Sequence, residues 1–123
     1  MQKTRHTLAR GDVVQTSQGY RVVWAVDGCA AAVFPVRYHN TSRRRSDVFL
    51  CPDDVVAMGV VGKNLMISVT EANRAPLAAI AAWVGRLPAQ VMARLSRAVS
   101  DEMNAQAVEA TPRYAHHETA VRM

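Results

Sequence analysis

The chain has 123 residues, half of them apolar and a fifth charged, with a formal net charge of +5. That length holds one domain with a real core rather than two. The excess of Lys and Arg favours an anionic partner such as nucleic acid, without bearing on fold. The opening residues Met1 to Thr7 lack the apolar run of a secretory signal, and the longest mostly apolar stretches, Cys29 to Val36 and Leu77 to Gly85, are too short to span a bilayer. A cytoplasmic protein without membrane association is the expectation.

Asp12 to Gln15 reads as a first short strand, closed by the turn-rich Thr16-Ser17-Gln18-Gly19. Tyr20 to Val26 is dense in β-branched and aromatic residues, and Asp27-Gly28 predicts a hairpin that returns as Ala30 to Val36. Val48 to Leu50, Val55 to Val61 and Asn64 to Val69 read as further strands, with Gly62-Lys63 as a turn. Leu77, Ile80, Ala81 and Val84 fit a short helix stopped by Gly85. Val91, Met92, Leu95, Ala98, Val99 and Met103 recur at helical spacing after Pro88, which suits a first helical turn. The expected fold class is mainly β with a C-terminal helix: a small barrel over roughly residues 8–70 inside a single domain of residues 1–103. Residues 104–123 are expected to form a polar, mobile tail.

Chemistry concentrates between Pro35 and Asp47. Arg37, Arg43, Arg44 and Arg45, with Tyr38, His39, Asn40, Thr41 and Ser42, lie between two strand-like runs. Guanidinium forks and hydroxyls suit phosphate oxygens, and a histidine can move protons near neutral pH. The same composition also describes a solvated basic turn. Cys29 and Cys51 belong to no ligand pattern and read as buried, reduced thiols. His6, His39, His116 and His117 have no metal spacing, so no metal or cofactor is expected. Trp24, in a dense strand, reads as core, and Trp83 as a core or dimer contact.

In that order the elements resemble the MazF/PemK family of bacterial toxins. Three stretches carry the resemblance: Arg10-Gly11-Asp12-Val13-Val14, Gly19-Tyr20-Arg21 with the strand after it, and Val84-Gly85-Arg86-Leu87-Pro88-Ala89-Gln90-Val91-Met92. They span Arg10 to about Met103. The resemblance implies an SH3-like barrel that dimerises, is held inactive by a cognate antitoxin protein, and cleaves single-stranded RNA without metal through the RNA's own 2′-hydroxyl. The chain departs from the family pattern in three ways. Its first hairpin loop is only Thr16 to Gly19, Val22 stands where a proline follows the family arginine, and Pro35-Val36-Arg37 occupies the place of a Pro-x-Thr motif.

Such cleavage needs a base for the 2′-hydroxyl, an acid for the 5′-oxygen, and positive donors for the phosphorane. Arg21 matches the family arginine and is the first candidate for the phosphorane. Arg37 can contact phosphate, His39 can transfer a proton, and Thr41 or its neighbour Ser42 can supply the displaced hydroxyl. Arg43, Arg44 and Arg45 suit RNA attraction and Tyr38 base stacking. Two other functions fit the same barrel: a non-catalytic nucleic-acid-binding module, and a gyrase inhibitor like the CcdB proteins.

Overall fold

A computed structural model describes residues 7–38 and 45–122, with residues 111–122 described by backbone alone. Its strands are β1 (Asp12–Thr16), β2 (Gly19–Asp27), β3 (Ala30–Tyr38), β4 (Asp47–Phe49), β5 (Leu65–Ser68), β6 (Asn73–Pro76) and β7 (Ile80–Arg86). Helix α1 (Pro52–Met58) lies between β4 and β5, and helix α2 (Ala89–Arg122) follows β7. All the pairings are antiparallel, in the order β4-β5-β3-β2-β1-β7, with β6 added to β3.

The first two hairpins follow from their turns. Thr16 pairs with Gly19, and the Thr16 hydroxyl both donates to the Gly19 carbonyl (3.1 Å) and accepts from the Gln18 amide (3.1 Å). Asp27 pairs with Ala30 across Gly28-Cys29, where Gly28 has φ +65°.

Strand β3 is the hub. One edge pairs with β2, while the other pairs with β6 along Ala30 to Val33 and with β5 along Val36 to Tyr38. Pro35, which has no N–H to give, stands in the gap where the second edge changes partner. The one strand thereby serves both halves of the barrel.

The main core lies inside the barrel. Val13, Val22, Phe34, Val48 and Ile67 from the strands meet Val55 and Met58 from α1 and Val91 and Leu95 from α2. A smaller core covers the outer face, where Val14, Val23, Ala31 and Val33 are shielded by Leu8, Ala75, Leu77 and Ile80. The adjacent pairs Val13-Val14 and Val22-Val23 are therefore fully buried on opposite faces. That explains why these strands read as continuous apolar runs rather than alternating ones. Burying each such valine contributes about 1.5 kcal/mol or more.

Four expectations are corrected. Residues 55–61 are not a strand: Pro52 to Met58 form α1, started by Pro52, Asp53 and Asp54 and stopped by Gly59 at φ +81°. The Ala-rich segment after Leu77 is not a helix either. It makes one 3₁₀ turn, Leu77–Ala79, and then becomes β7, which pairs with β1. The sheet therefore extends beyond residue 70 to Arg86. Both cysteines are exposed rather than buried. Helix α2 also continues past residue 103, running to Arg122. No described helix is long and apolar enough to cross a membrane.

Where α1 ends, it presses on β7. A Cβ at Gly85 would sit 2.3 Å from the Met58 carbonyl oxygen, and one at Gly59 would sit 2.9 Å from the Val84 carbonyl oxygen. Only glycine permits that approach.

Candidate nucleic-acid interface

Two groups of arginines occupy different parts of the barrel. The first lies where the start of β1 meets the start of α2. Gly11 donates to the Val23 carbonyl (2.8 Å) and accepts from the Leu87 amide (2.8 Å), joining the first and last strands. The buried Asp12 carboxylate accepts from the Ala9 amide (2.9 Å) and lies 3.4 Å from the Arg86 guanidinium. Arg10 stacks over the Trp24 ring, 4.2 Å from its centroid, and donates to the Trp24 carbonyl (2.8 Å).

Nearby, Arg94 ties α2 to α1. It donates to buried Asp54 (2.7 Å) and to the Phe49 carbonyl (2.8 Å), while Gln90 reaches the same carboxylate at 3.4 Å. Burial pushes the Asp54 carboxyl up, but its bonds from Cys51 and Arg94 outweigh this and hold it below the usual carboxylate range. An open cleft of about 580 Å³ lies over these residues, lined also by Leu50, Cys51 and Asp53.

The second group is on the outer face of the sheet. Arg21 pairs with Val14 on one side and Pro35 on the other, and Val14 pairs in turn with Trp83. Trp83, Val14, Arg21 and Pro35 thus form one row across four strands, on the face away from the main core. Arg37 is two residues beyond Pro35 and shares that face.

Arg21 donates to the carbonyls of Tyr20 (2.9 Å) and Gln18 (3.3 Å); among the described residues no carboxylate pairs with it. Arg37 forms an ion pair with Glu71, which the 3₁₀ turn Val69–Glu71 presents after β5. The two guanidiniums share this face, Arg21 held by carbonyls of its own hairpin and Arg37 by Glu71, and neither is sealed in the core; each suits an anionic oxygen.

Solved structures share this architecture. An endoribonuclease from Mycobacterial species superposes with TM-score 0.61 at 13% identity, covering 80% of this chain and 93% of that one. An endoribonuclease in complex with its cognate antitoxin, also from Mycobacterial species, gives 0.61 at 11% identity, covering 80% and 96%. The Mycobacterium tuberculosis toxin MazF-mt6 gives 0.58 at 16%, covering 77% and 97%. The chain has the MazF-like fold. No family model and no curated protein sequence matches it.

Within the MazF-like fold the three resemblance-bearing stretches divide by role. Arg10 to Val14 and Val84 to Met92 build the closed junction of β1, β7 and α2, so their residues hold the fold. In the third stretch, Gly19-Tyr20-Arg21, Tyr20 packs on the main core while Arg21 lies on the outer face.

Of the residues expected to act on RNA, Arg21 and Arg37 share one face of the sheet. Tyr38 follows Arg37 but alternates to the other face, opposite Leu65, and is 57% exposed. His39, Thr41, Arg43 and Arg44 lie outside the described residues, as does Ser42. Arg45 is turned toward α2: it makes a two-pronged bond to Glu102 (2.9 Å each) and a further ion pair with Glu109. Ser46 also donates to Glu102 (2.9 Å). These bonds, Arg45 first, hold the nearly buried Glu102 carboxyl down at about 2 despite its burial. The two glutamates in turn keep Arg45 protonated more firmly than usual. Trp83, on the same row as Arg21, is 43% exposed rather than enclosed.

Glu71 is the residue that sequence reading passed over. It lies 34 positions from Arg37 with no motif around it, and only the pairing of β3 with β5 brings the two side by side. Among the described residues, no three His, Cys, Asp or Glu side chains converge as a metal site requires.

Proposed function

We propose that this chain is the toxin of a toxin–antitoxin pair, an endoribonuclease that cleaves single-stranded RNA without metal. The observation that carries the reading is the Arg21 and Arg37 pair on one face of a MazF-like barrel, supported by the likeness to solved endoribonucleases of that fold. Arg21 and Arg37 bind the scissile phosphate and stabilise the charge that builds on the phosphorane, while Trp83 on the same row offers a ring to a neighbouring base. Arg43 and Arg44 add electrostatic attraction for the RNA backbone, and His39, Thr41 and Tyr38 supply proton transfer, a hydroxyl and a stacking ring from the sequence next to Arg37. The chain works as a cytoplasmic homodimer and is restrained by a cognate antitoxin, as one of the similar endoribonucleases is found in complex with its own.

The test is incubation of the pure protein with RNA of mixed sequence in EDTA. The expected products carry a 2′,3′-cyclic phosphate or 3′-phosphate and a free 5′-hydroxyl. Tight binding without cleavage would replace this reading with that of a nucleic-acid-binding module.

A further inference from the structure

We propose that Glu109 is an autoinhibitory stand-in for a phosphate: it fills the outer edge of the Arg45 guanidinium and withholds that group from RNA. The inference rests on the RNA-binding part of the reading above. A guanidinium has two edges, each a pair of N–H donors that matches a carboxylate or a phosphate. Both edges of Arg45 are filled from α2. Nε and Nη2 form the side edge and donate to Glu102 (2.9 Å each). Nη1 and Nη2 form the end edge and donate to Glu109, the Nη2 bond measuring 3.1 Å. Arg21 differs, because its bonds to the carbonyls of Tyr20 and Gln18 both come from Nη1.

The two glutamates are not equivalent. The Glu102 side chain is 6% exposed and also accepts from Ser46 (2.9 Å) and Gln106 (2.8 Å), so it is built into the corner between β4 and α2. Ser46 has φ +68°, a left-handed conformation that a non-glycine residue keeps only where its surroundings hold it. Arg45 and Ser46 reach one carboxylate from that turn. Glu109 is about two helical turns further along α2, and its side chain is 57% exposed. An ion pair so open to water contributes little to stability.

Glu102 therefore fixes Arg45 in place, and Glu109 covers what Glu102 leaves open. Without Glu109 the guanidinium stays ordered with a two-donor edge toward water, which is a phosphate-binding group already built. In sequence Arg45 continues the basic run of Arg43 and Arg44, so RNA drawn to that run passes beside this edge. To bind there a phosphate must displace a carboxylate carried by the same chain. That competition removes one contact from the set that releases counterions on binding, and it lowers the affinity accordingly.

The experiment measures binding of a single-stranded 2′-deoxy oligonucleotide, which has no 2′-hydroxyl to react, by the full-length protein across a salt series. It compares the parent with Glu109→Gln, Arg45→Ala, the double variant, and Asp101→Asn as an exposed carboxylate on the same helix. We expect Glu109→Gln to bind severalfold tighter at low salt, with the slope of log affinity against log salt steeper by about one unit. Arg45→Ala and Asp101→Asn should keep the parent slope, and the double variant should return to it. A Glu109→Gln slope equal to that of the parent overturns the proposal. So does a gain that survives in the double variant, since it would come from lost negative charge rather than from Arg45. A slope that flattens for Arg45→Ala alone also overturns it, because Arg45 would then already be in contact. A parent that binds the oligonucleotide but does not cut RNA removes the endoribonuclease reading and leaves this test intact, whereas a parent that binds neither overturns both.

Discussion

Arginines do opposite things at two places on this barrel. At the junction of β1, β7 and α2, Arg86 and Arg94 face carboxylates sunk in the protein, and Asp54 and Asp12 are almost wholly out of water. On the outer face, Arg21 bonds to carbonyls of its own hairpin and Arg37 meets a partly exposed glutamate. A guanidinium matched to a buried carboxylate cannot leave without stranding that charge, so it acts as a fastener. One held by carbonyls or by an accessible carboxylate can turn to an incoming phosphate. The burial of the partner, rather than the arginine itself, separates the two roles.

The comparison is broken most sharply by Arg21→Ala. Cleavage should fall by about a hundredfold or more while the thermal midpoint stays where it was, as measured by gel-resolved cleavage and calorimetry on the same preparation. Arg94→Ala should do the reverse. It strands Asp54 and should cost roughly 2 kcal/mol in a urea titration, with the rate per folded molecule unchanged. If Arg94→Ala silenced cleavage without destabilising the protein, the division between the two groups would be wrong.

How much of this could be read from the chain follows the same division. The first two hairpins and the start of α2 were legible, because Asp27-Gly28, Pro88 and the Val91-to-Met103 spacing are local signals. Helix α1 was misread because Val55 and Val56 suggest a strand, although Pro52, Asp53, Asp54 and Gly59 mark a helix from start to stop. Strand β7 was misread because its alanines give no pattern of their own and its partner, β1, is at the far end of the chain. Arg21 and Arg37 were identifiable as candidates, since one lies in a motif and the other follows a strand proline. The pairs Arg94–Asp54, Arg45–Glu102 and Arg37–Glu71 join distant positions, and no window of sequence contains them.

Arg45 sharpens the contrast inside one basic run. Arg43→Ala with Arg44→Ala should lower the slope of log affinity against log salt by about two units, whereas Arg45→Ala should leave it unchanged. Glu102 and Glu109 already match the charge of Arg45. Filter binding across a salt series decides this, and a one-unit loss for Arg45→Ala would return that residue to the RNA-contacting set. The smallest effect concerns acid. Because the folded Glu102 carboxyl titrates at about 2, below its unfolded value of 4.5, its contribution to stability is complete above pH 4.5 and disappears as pH falls toward 2. Glu102→Gln should therefore flatten the stability curve across that window, and an unaltered curve would show that Arg45 gives Glu102 no folded-state advantage.

The pairing of β1 with β7 also sets a schedule for making the protein. Val14 leaves the ribosome well before its neighbour Trp83, which arrives only after β2 to β6 have been synthesised. Until then β1 has a bare edge, and until Val91 and Leu95 follow, the barrel interior has no lid. A growing chain halted before residue 80 thus carries both Arg21 and Arg37 on an unfinished sheet. If the completed barrel cleaves RNA, a partial chain that already carries both arginines still lacks the finished sheet that holds them in place.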